Sequence, residues 1–315
     1  MTAYGMLVTQ AIGDAYGVAF ENVPMETIPK LNKLKYLKHP KWNIGDGRYT
    51  DDTQMTIGFA EAILSSKPLT AVNLADHFVK AYKRDPRPGY MPGFRKLLDS
   101  MENGTDFLSA ILPTSRRSGG AMRACPAGLI SNRHEAIDMA QFQASLTHAT
   151  KQGMDAAAAS ALLVWLCLDG CPRDKLGATI KGEIPGYPWD EVWKWRVKVD
   201  GIPVVRAAIM AVSHFDNLQK ILRLCIAFSG DTDTVAAVAM AAAAMHPHIN
   251  QNLPERLYEG LENGTYGRDY LEKLDWRLLN HYGVDHPHGK KPPEDLEIAN
   301  PLDEDLDTVL DLLGD

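Results

Sequence analysis

The chain has 315 residues, 45% of them hydrophobic and 23% charged, the balance of an ordinary globular protein long enough for one large domain or two. Its net charge of -7 gathers at the C-terminus, where Glu294, Asp295, Glu297, Asp303, Glu304, Asp305, Asp307, Asp311 and Asp315 meet no Lys or Arg; taking these nine from 40 acids leaves 31 against 33 bases, so bulk charge makes no case for nucleic-acid binding. No basic leader precedes an apolar run and no 18 consecutive residues are apolar, so neither secretion nor a membrane span is expected, and the cytoplasm is the expected compartment.

In chain order, the first predicted helix runs from about Ala3 to Phe20, with Met6, Leu7, Ile12 and Tyr16 among its apolar positions. Gly13 and Gly17 lie one turn apart, where small residues cost propensity but let another backbone come close. Glu21 follows at its end. The Pro- and Gly-containing segment Asn22 to Arg48 reads as a loop leading to Thr50-Asp51-Asp52-Thr53-Gln54. Behind that stretch Met55, Phe59 and Ile63 recur at helical spacing, so two carboxylates and a hydroxyl open a helix. Such oxygens are hard ligands suited to Mg²⁺, Mn²⁺ or Ca²⁺, and they are equally good helix caps.

Thr70 then caps an amphipathic helix carrying Leu74, Phe78 and Tyr82. Three prolines between Arg84 and Gly93 break the chain before another short helix. Ser118-Gly119-Gly120 is expected to be a flexible turn entering a helix, with backbone N–H groups able to cradle phosphate oxygens. Arg123 is either a phosphate partner or half of a structural ion pair, with the structural role favoured. Phe142 to His148 ends a helix, Gly153 to Leu168 reads as a mostly buried one, and Asp169 to Asp200 is the least regular part, with Trp189, Trp193 and Trp195 expected to form a satellite core. Cys125, Cys167, Cys171 and Cys225 lack CxxC spacing and read as buried free thiols.

Helices over Val204 to Val212 and Leu218 to Phe228 lead to a second acidic stretch, Ser229-Gly230-Asp231-Thr232-Asp233-Thr234. It too runs into a helix, apolar almost all round and therefore expected at the centre of the fold. Two acidic helix starts aimed at one point would repel unless cations sat between them, which is the signature of a two-metal site. His246-Pro247-His248 reads as surface histidines closing this helix. Pro254 to Leu279 supplies one or two more helices. Beyond His281 a linker leads to an acidic tail in which Leu302, Leu306, Val309, Leu310 and Leu313 form one apolar stripe, expected to dock on this body or on a protein partner. No strand alternation competes, so the fold class is all-α.

Five stretches carry a resemblance: Gly13 to Glu21, Gly45 to Thr56, Gly119 to Pro126, Ser145 to His148 and Gly230 to Ala237. Together and in this order they resemble the ADP-ribosylglycohydrolase family, the group of dinitrogenase-reductase-activating glycohydrolase. The resemblance implies a compact orthogonal multi-helix bundle, with a catalytic domain over residues 1–280 and a linker and tail over 281–315. It implies two Mg²⁺, or Mn²⁺, held by Thr50, Asp51, Asp52, Asp231, Asp233 and Thr234. Glu21, Asp51, Asp52 and Asp233 are the implied catalytic carboxylates, without a choice among Asp51, Asp52 and Glu21 as the base. Ser118, Gly119, Gly120, Ala121 and His148 are the implied substrate contacts. The expected reaction is hydrolysis of the bond between ADP-ribose and a modified protein side chain, arginine first. Hydrolysis of a free metabolite such as O-acetyl-ADP-ribose, and a non-catalytic binding or structural role, are the other readings. Ser229 replaces the first glycine of the family's usual Gly-Gly-Asp, and Ser118-Gly119-Gly120 stands where Gly-Asn-Gly is common; neither removes a metal ligand.

Overall fold

The computed structural model describes residues 4–292, which form α1 (Met6–Gly17), α2 (Ile28–Leu31), α3 (Asp51–Ile63), α4 (Ala71–Arg84), α5 (Pro92–Ser100), α6 (Gly104–Ala110) and α7 (Arg133–His148) in the first half. The second half adds α8 (Lys151–Leu168), α9 (Leu176–Glu183), α10 (Gly201–His214), α11 (Leu218–Ala227), α12 (Thr232–Ala244), α13 (Glu255–Glu259) and α14 (Arg268–Tyr282). Among the described residues extended backbone pairs only in four isolated bridges, and the fold class is all-α, as the sequence predicts.

All thirteen residues of α12 are buried, and α1, α8, α10 and α11 surround it. Its closest partner is α1, and the sequence explains why. A Cβ at Gly13 would stand 2.6 Å from the Ala236 carbonyl oxygen, and one at Gly17 would stand 2.5 Å from the Asp233 Cα. Bare glycines on α1 against the alanine run of α12 thus let the two backbones touch, fixing the start of α12 against a rigid neighbour. The N-terminus of α1 is held in turn by Asp275 of α14, whose buried carboxylate accepts from the N–H groups of Leu7 (2.8 Å) and Val8 (3.2 Å). Burial pushes the Asp275 pKa up to about 7, with those two N–H groups pulling against it.

More peripheral elements follow local rules. In α4, Leu74, Phe78 and Tyr82 face inward, and the Thr70 hydroxyl oxygen accepts from the N–H of Asn73, 3.2 Å away, as its cap. The four cysteines are free, and three of them are buried.

Several expectations need correction. Ser118-Gly119-Gly120 forms one 3-10 turn, followed by another over Cys125–Leu129, and no α-helix starts until Arg133. Pro126 and Gly128 interrupt any helix propagating from Ala121. The supposed loops hold α2 and α9, each too short to display a helical period. His246 is buried rather than superficial, with its Nε2 3.1 Å from the Cys171 carbonyl oxygen. Trp189 and Trp193 are buried as a satellite core would require, whereas Trp195 is 64% exposed. Past α14 the chain continues to pack on the body: the His288 ring meets the Ala244 carbonyl oxygen at 3.0 Å, and Lys290 pairs with Glu272. The tail's apolar stripe lies outside the described residues.

Candidate active site and metal centre

The first acidic helix start is capped by a carboxylate from another helix. Asp14, fully buried in α1, accepts hydrogen bonds from the Thr50 N–H (3.0 and 3.1 Å to its two oxygens) and the Thr53 N–H (3.1 Å). It also accepts from the Thr50 and Thr53 hydroxyls at 2.9 and 2.7 Å. These two N–H groups would otherwise be taken by a local cap. Because Asp14 takes them, Asp51 and Asp52 are released from capping and face the cavity.

The second start is built differently. Ser229 and Gly230 both adopt left-handed backbone, at φ 59° and 91°. A Cβ at Gly230 would fall 1.8 Å from the Val197 carbonyl oxygen, so the turn requires glycine there, whereas Ser229 tolerates its strain while its Oγ donates to the Val23 carbonyl (3.0 Å). Asp231 is then tied on both oxygens, one accepting from the Thr234 hydroxyl (3.0 Å) and the other from the Ser118 hydroxyl (3.0 Å). Glu21 is brought alongside because the Asn22 N–H donates to the Gly230 carbonyl (3.1 Å). Single oxygens of Glu21, Asp231 and Asp233 all lie within 4.8 Å of one another.

The two starts open on one cavity of about 570 Å³, lined at its acidic end by Glu21, Asp51, Asp52, Asp231, Asp233 and Thr234. Burial, then mutual repulsion, raises the pKa of Asp51, Asp52 and Asp233. Burial and the charge of Asp231 push Glu21 up to about 8. The Oδ1 atoms of Asp52 and Asp233 are buried and have no hydrogen-bond partner. Orphaned, densely placed carboxylate oxygens are costly unless a cation takes them. An all-oxygen donor set of this charge fits a hard divalent cation such as Mg²⁺ or Mn²⁺.

The facing wall belongs to the glycine turn and the end of α7. Arg123 is fully buried and reaches no carboxylate; its guanidinium donates to Gln143 Oε1 (2.7 Å), the Gly119 carbonyl (2.7 Å) and Thr147 Oγ1 (2.7 Å), over the Phe78 ring. Its role is therefore to hold the turn, and burial pushes its pKa down to about 9. Thr147 Oγ1, which accepts from Arg123, also lies 2.6 Å from His148 Nδ1. His148 Nε2 stands beside Gly119 on the cavity wall. Burial and then Arg123 push the His148 pKa down to about 3, so the ring is neutral.

Of the residues singled out in the sequence, Glu21, Asp51, Asp52, Asp231, Asp233, Thr234, Ser118, Gly119 and His148 therefore line one cavity. Thr50 stands behind the wall, bound to Asp14. Gly120 and Ala121 are buried behind it too, the Gly120 carbonyl accepting from Gln143 Nε2 (2.7 Å). Sequence reasoning missed Asp14, although a charge within an otherwise apolar helix was a readable sign. It also missed the apolar part of the wall formed by Phe94, Leu97, Ile111 and Leu112, and the seam at residues 197–201. In that seam the Ser118 N–H donates to the Val199 carbonyl (2.9 Å) and the Asp231 N–H to the Val197 carbonyl (3.2 Å), locking the two walls together.

Comparison with known proteins gives the family and the fold. The ADP-ribosylglycohydrolase family profile matches residues 2–287. The chain is similar to ADP-ribosylhydrolase ARH3 of Bos taurus, 30% identical over 82% of this chain and 88% of the relative, and to that of Homo sapiens, 27% identical over 82% and 88%. It is also similar to ADP-ribosylarginine hydrolase Tri1 of Serratia proteamaculans, 22% identical over 79% of this chain and 72% of the relative. A solved ADP-ribosylglycohydrolase-related protein complex shares the fold, with a TM-score of 0.71 and 23% identity over 88% of this chain and 96% of that one. No described helix is long and apolar enough to cross a membrane. With its matching helical fold, its acidic cavity and a family profile that spans nearly all the described residues, the chain belongs to the ADP-ribosylglycohydrolase family of hydrolases.

Proposed function

We propose that this protein is a Mg²⁺-dependent hydrolase that cleaves the glycosidic bond between ADP-ribose and a modified protein side chain, with arginine as the expected acceptor. The observation that carries this reading is the convergence of five carboxylates on one cavity, two of whose buried oxygens have no partner. The Serratia relative's name supports the arginine linkage.

Asp51, Asp52, Asp231, Asp233 and Thr234 on the wall, joined by a remaining lone pair of the Thr50 hydroxyl that donates to Asp14, would hold two Mg²⁺, which when bound supply Lewis acidity toward ribose hydroxyls and a more acidic water. The chain's own groups bind and orient. The acidic end receives the ribose, while the apolar wall of Phe94, Leu97, Ile111 and Leu112 offers a dry face for the nucleobase. His148 Nε2 and the Ser118–Gly119 turn stand between them. Cleavage adds water at the anomeric carbon as the bond to the acceptor nitrogen or oxygen breaks; the water's proton passes to a carboxylate and the leaving group regains one. Glycosidic transition states carry oxocarbenium character, and the surrounding carboxylates oppose that positive charge. In this reading Asp51, Asp52 or Glu21 takes the proton. Residues 1–280 are proposed as the catalytic domain, and 281–315 as its linker and tail.

Release of ADP-ribose from arginine-linked modified protein, serine-linked modified protein and O-acetyl-ADP-ribose tests this. Turnover of the arginine-linked protein, abolished by EDTA, is expected. Turnover confined to O-acetyl-ADP-ribose would move the assignment to metabolite hydrolysis, and binding of ADP-ribose without turnover of any of the three would move it to a binding protein.

A further inference from the structure

Two adjacent arginines on the approach to the glycine turn have different fates. Arg116 pairs with Asp200 at 3.2 Å, and its carbonyl accepts from the Gly201 N–H (3.0 Å). Arg117 is exposed on the cavity wall, and among the described residues it makes no ion pair. Its Nη1 lies 2.8 Å from the Met91 sulfur. A thioether is a weak acceptor, so a guanidinium with five donors rests there against a partner that satisfies almost none of them. The backbone beneath it is fixed, since the Arg117 N–H donates to Ser115 Oγ (3.2 Å) and the next N–H to the Val199 carbonyl.

Position gives this cation its meaning. The neighbouring Ser118 hydroxyl touches Asp231 at the acidic end, whereas the guanidinium reaches across to Met91, beside Phe94 and Leu97 on the apolar wall. Arg117 therefore stands where the ribose-binding and base-binding parts of the cavity meet. In an ADP-ribosyl group that junction is the diphosphate, a pair of anions that would otherwise enter a cavity already crowded with carboxylates. The other cation on this wall, Arg123, is committed to Gln143, Gly119 and Thr147 and is not free to serve it.

We propose that Arg117 is a specificity-determining residue that leaves Met91 and clamps the substrate's diphosphate, selecting diphosphate-bearing ligands over simple ribosides. This rests on the proposed function above. A fork of donors on a phosphate forms strong, charge-assisted hydrogen bonds, and lysine reproduces the charge without the fork.

The test is calorimetric titration of ADP-ribose into the wild type, Arg117→Gln and Arg117→Lys at low and high salt in Mg²⁺, with Mg²⁺ affinity measured alongside. Arg117→Gln is expected to weaken ADP-ribose binding by about tenfold or more and to flatten its salt dependence, with Mg²⁺ affinity retained and Arg117→Lys recovering part of the loss. With a modified protein as substrate, the same change should appear in KM more than in kcat. Unchanged ADP-ribose affinity in Arg117→Gln overturns the proposal, as does a loss with undiminished salt dependence or one that Mg²⁺ affinity shares. Failure of the wild type to bind ADP-ribose would instead overturn the proposed function, and the assignment of Arg117 with it.

Discussion

The two acidic helix starts look alike in sequence and differ in construction. At α3 the cap is borrowed: Asp14 comes from α1 and takes the Thr50 and Thr53 donors, so both local carboxylates are free to face the cavity. At α12 the cap residue Asp231 is itself part of the site, tied by Thr234 and Ser118, and only Asp233 keeps an unpartnered oxygen. The difference teaches that an acidic motif at a helix start is spent on capping unless another element relieves it. Here relief comes from one buried residue for the first motif and from hydroxyl donors for the second.

Removing the borrowed cap is the harshest way to break that contrast. Asp14→Ala strands two buried N–H groups and two hydroxyls, and a loss of about 5 kcal/mol in unfolding free energy by urea titration is expected. Thr234→Val, which removes one donor at the other start, should cost about 1–2 kcal/mol in the same experiment.

Asp275 sharpens the comparison, because it also caps a helix start in trans but lies away from the cavity. Its native pKa of about 7 lies above the unfolded value near 4, so the native state binds its proton more tightly. Its contribution to stability is therefore fully present below about pH 4 and is lost as pH rises through 7, by up to about 4 kcal/mol. The stability of wild type relative to Asp275→Asn should fall over that interval, and a flat difference would contradict the assignment.

At the second start, Asp233→Asn removes a buried, unpartnered, repelled carboxylate. In EDTA it should raise the unfolding free energy by about 1–2 kcal/mol, while in Mg²⁺ the order should reverse as the ligand is lost. Thermal melts in the two buffers read this directly. The smallest change belongs to a start with no functional acid: Thr70→Ala should cost about 1 kcal/mol, without altering any response to Mg²⁺.

Local features were legible in the chain. Thr70 as a cap, the burial of α12 and the glycines of α1 follow from residue chemistry at short range, and the two acidic motifs identify themselves by type and order. What stayed hidden depended on distance along the chain. The Asp14 bonds span 36 and 39 residues, and the Ser118–Asp231 bond spans 113. The seam at residues 197–201 looked irregular because its order consists of bridges to two distant turns rather than a period of its own. Likewise the Gly119 turn leads into no α-helix, because the Pro126 and Gly128 that follow prevent one.

The central claim is that the two starts together form a cation site. Calorimetric titration of Mg²⁺ into wild type, Asp52→Asn and Asp233→Asn tests it most directly. The account predicts saturable binding by the wild type that weakens sharply in both variants, although their altered residues lie on different helices. Wild-type protein that takes up no Mg²⁺ or Mn²⁺, or that binds as well after either substitution, would contradict it.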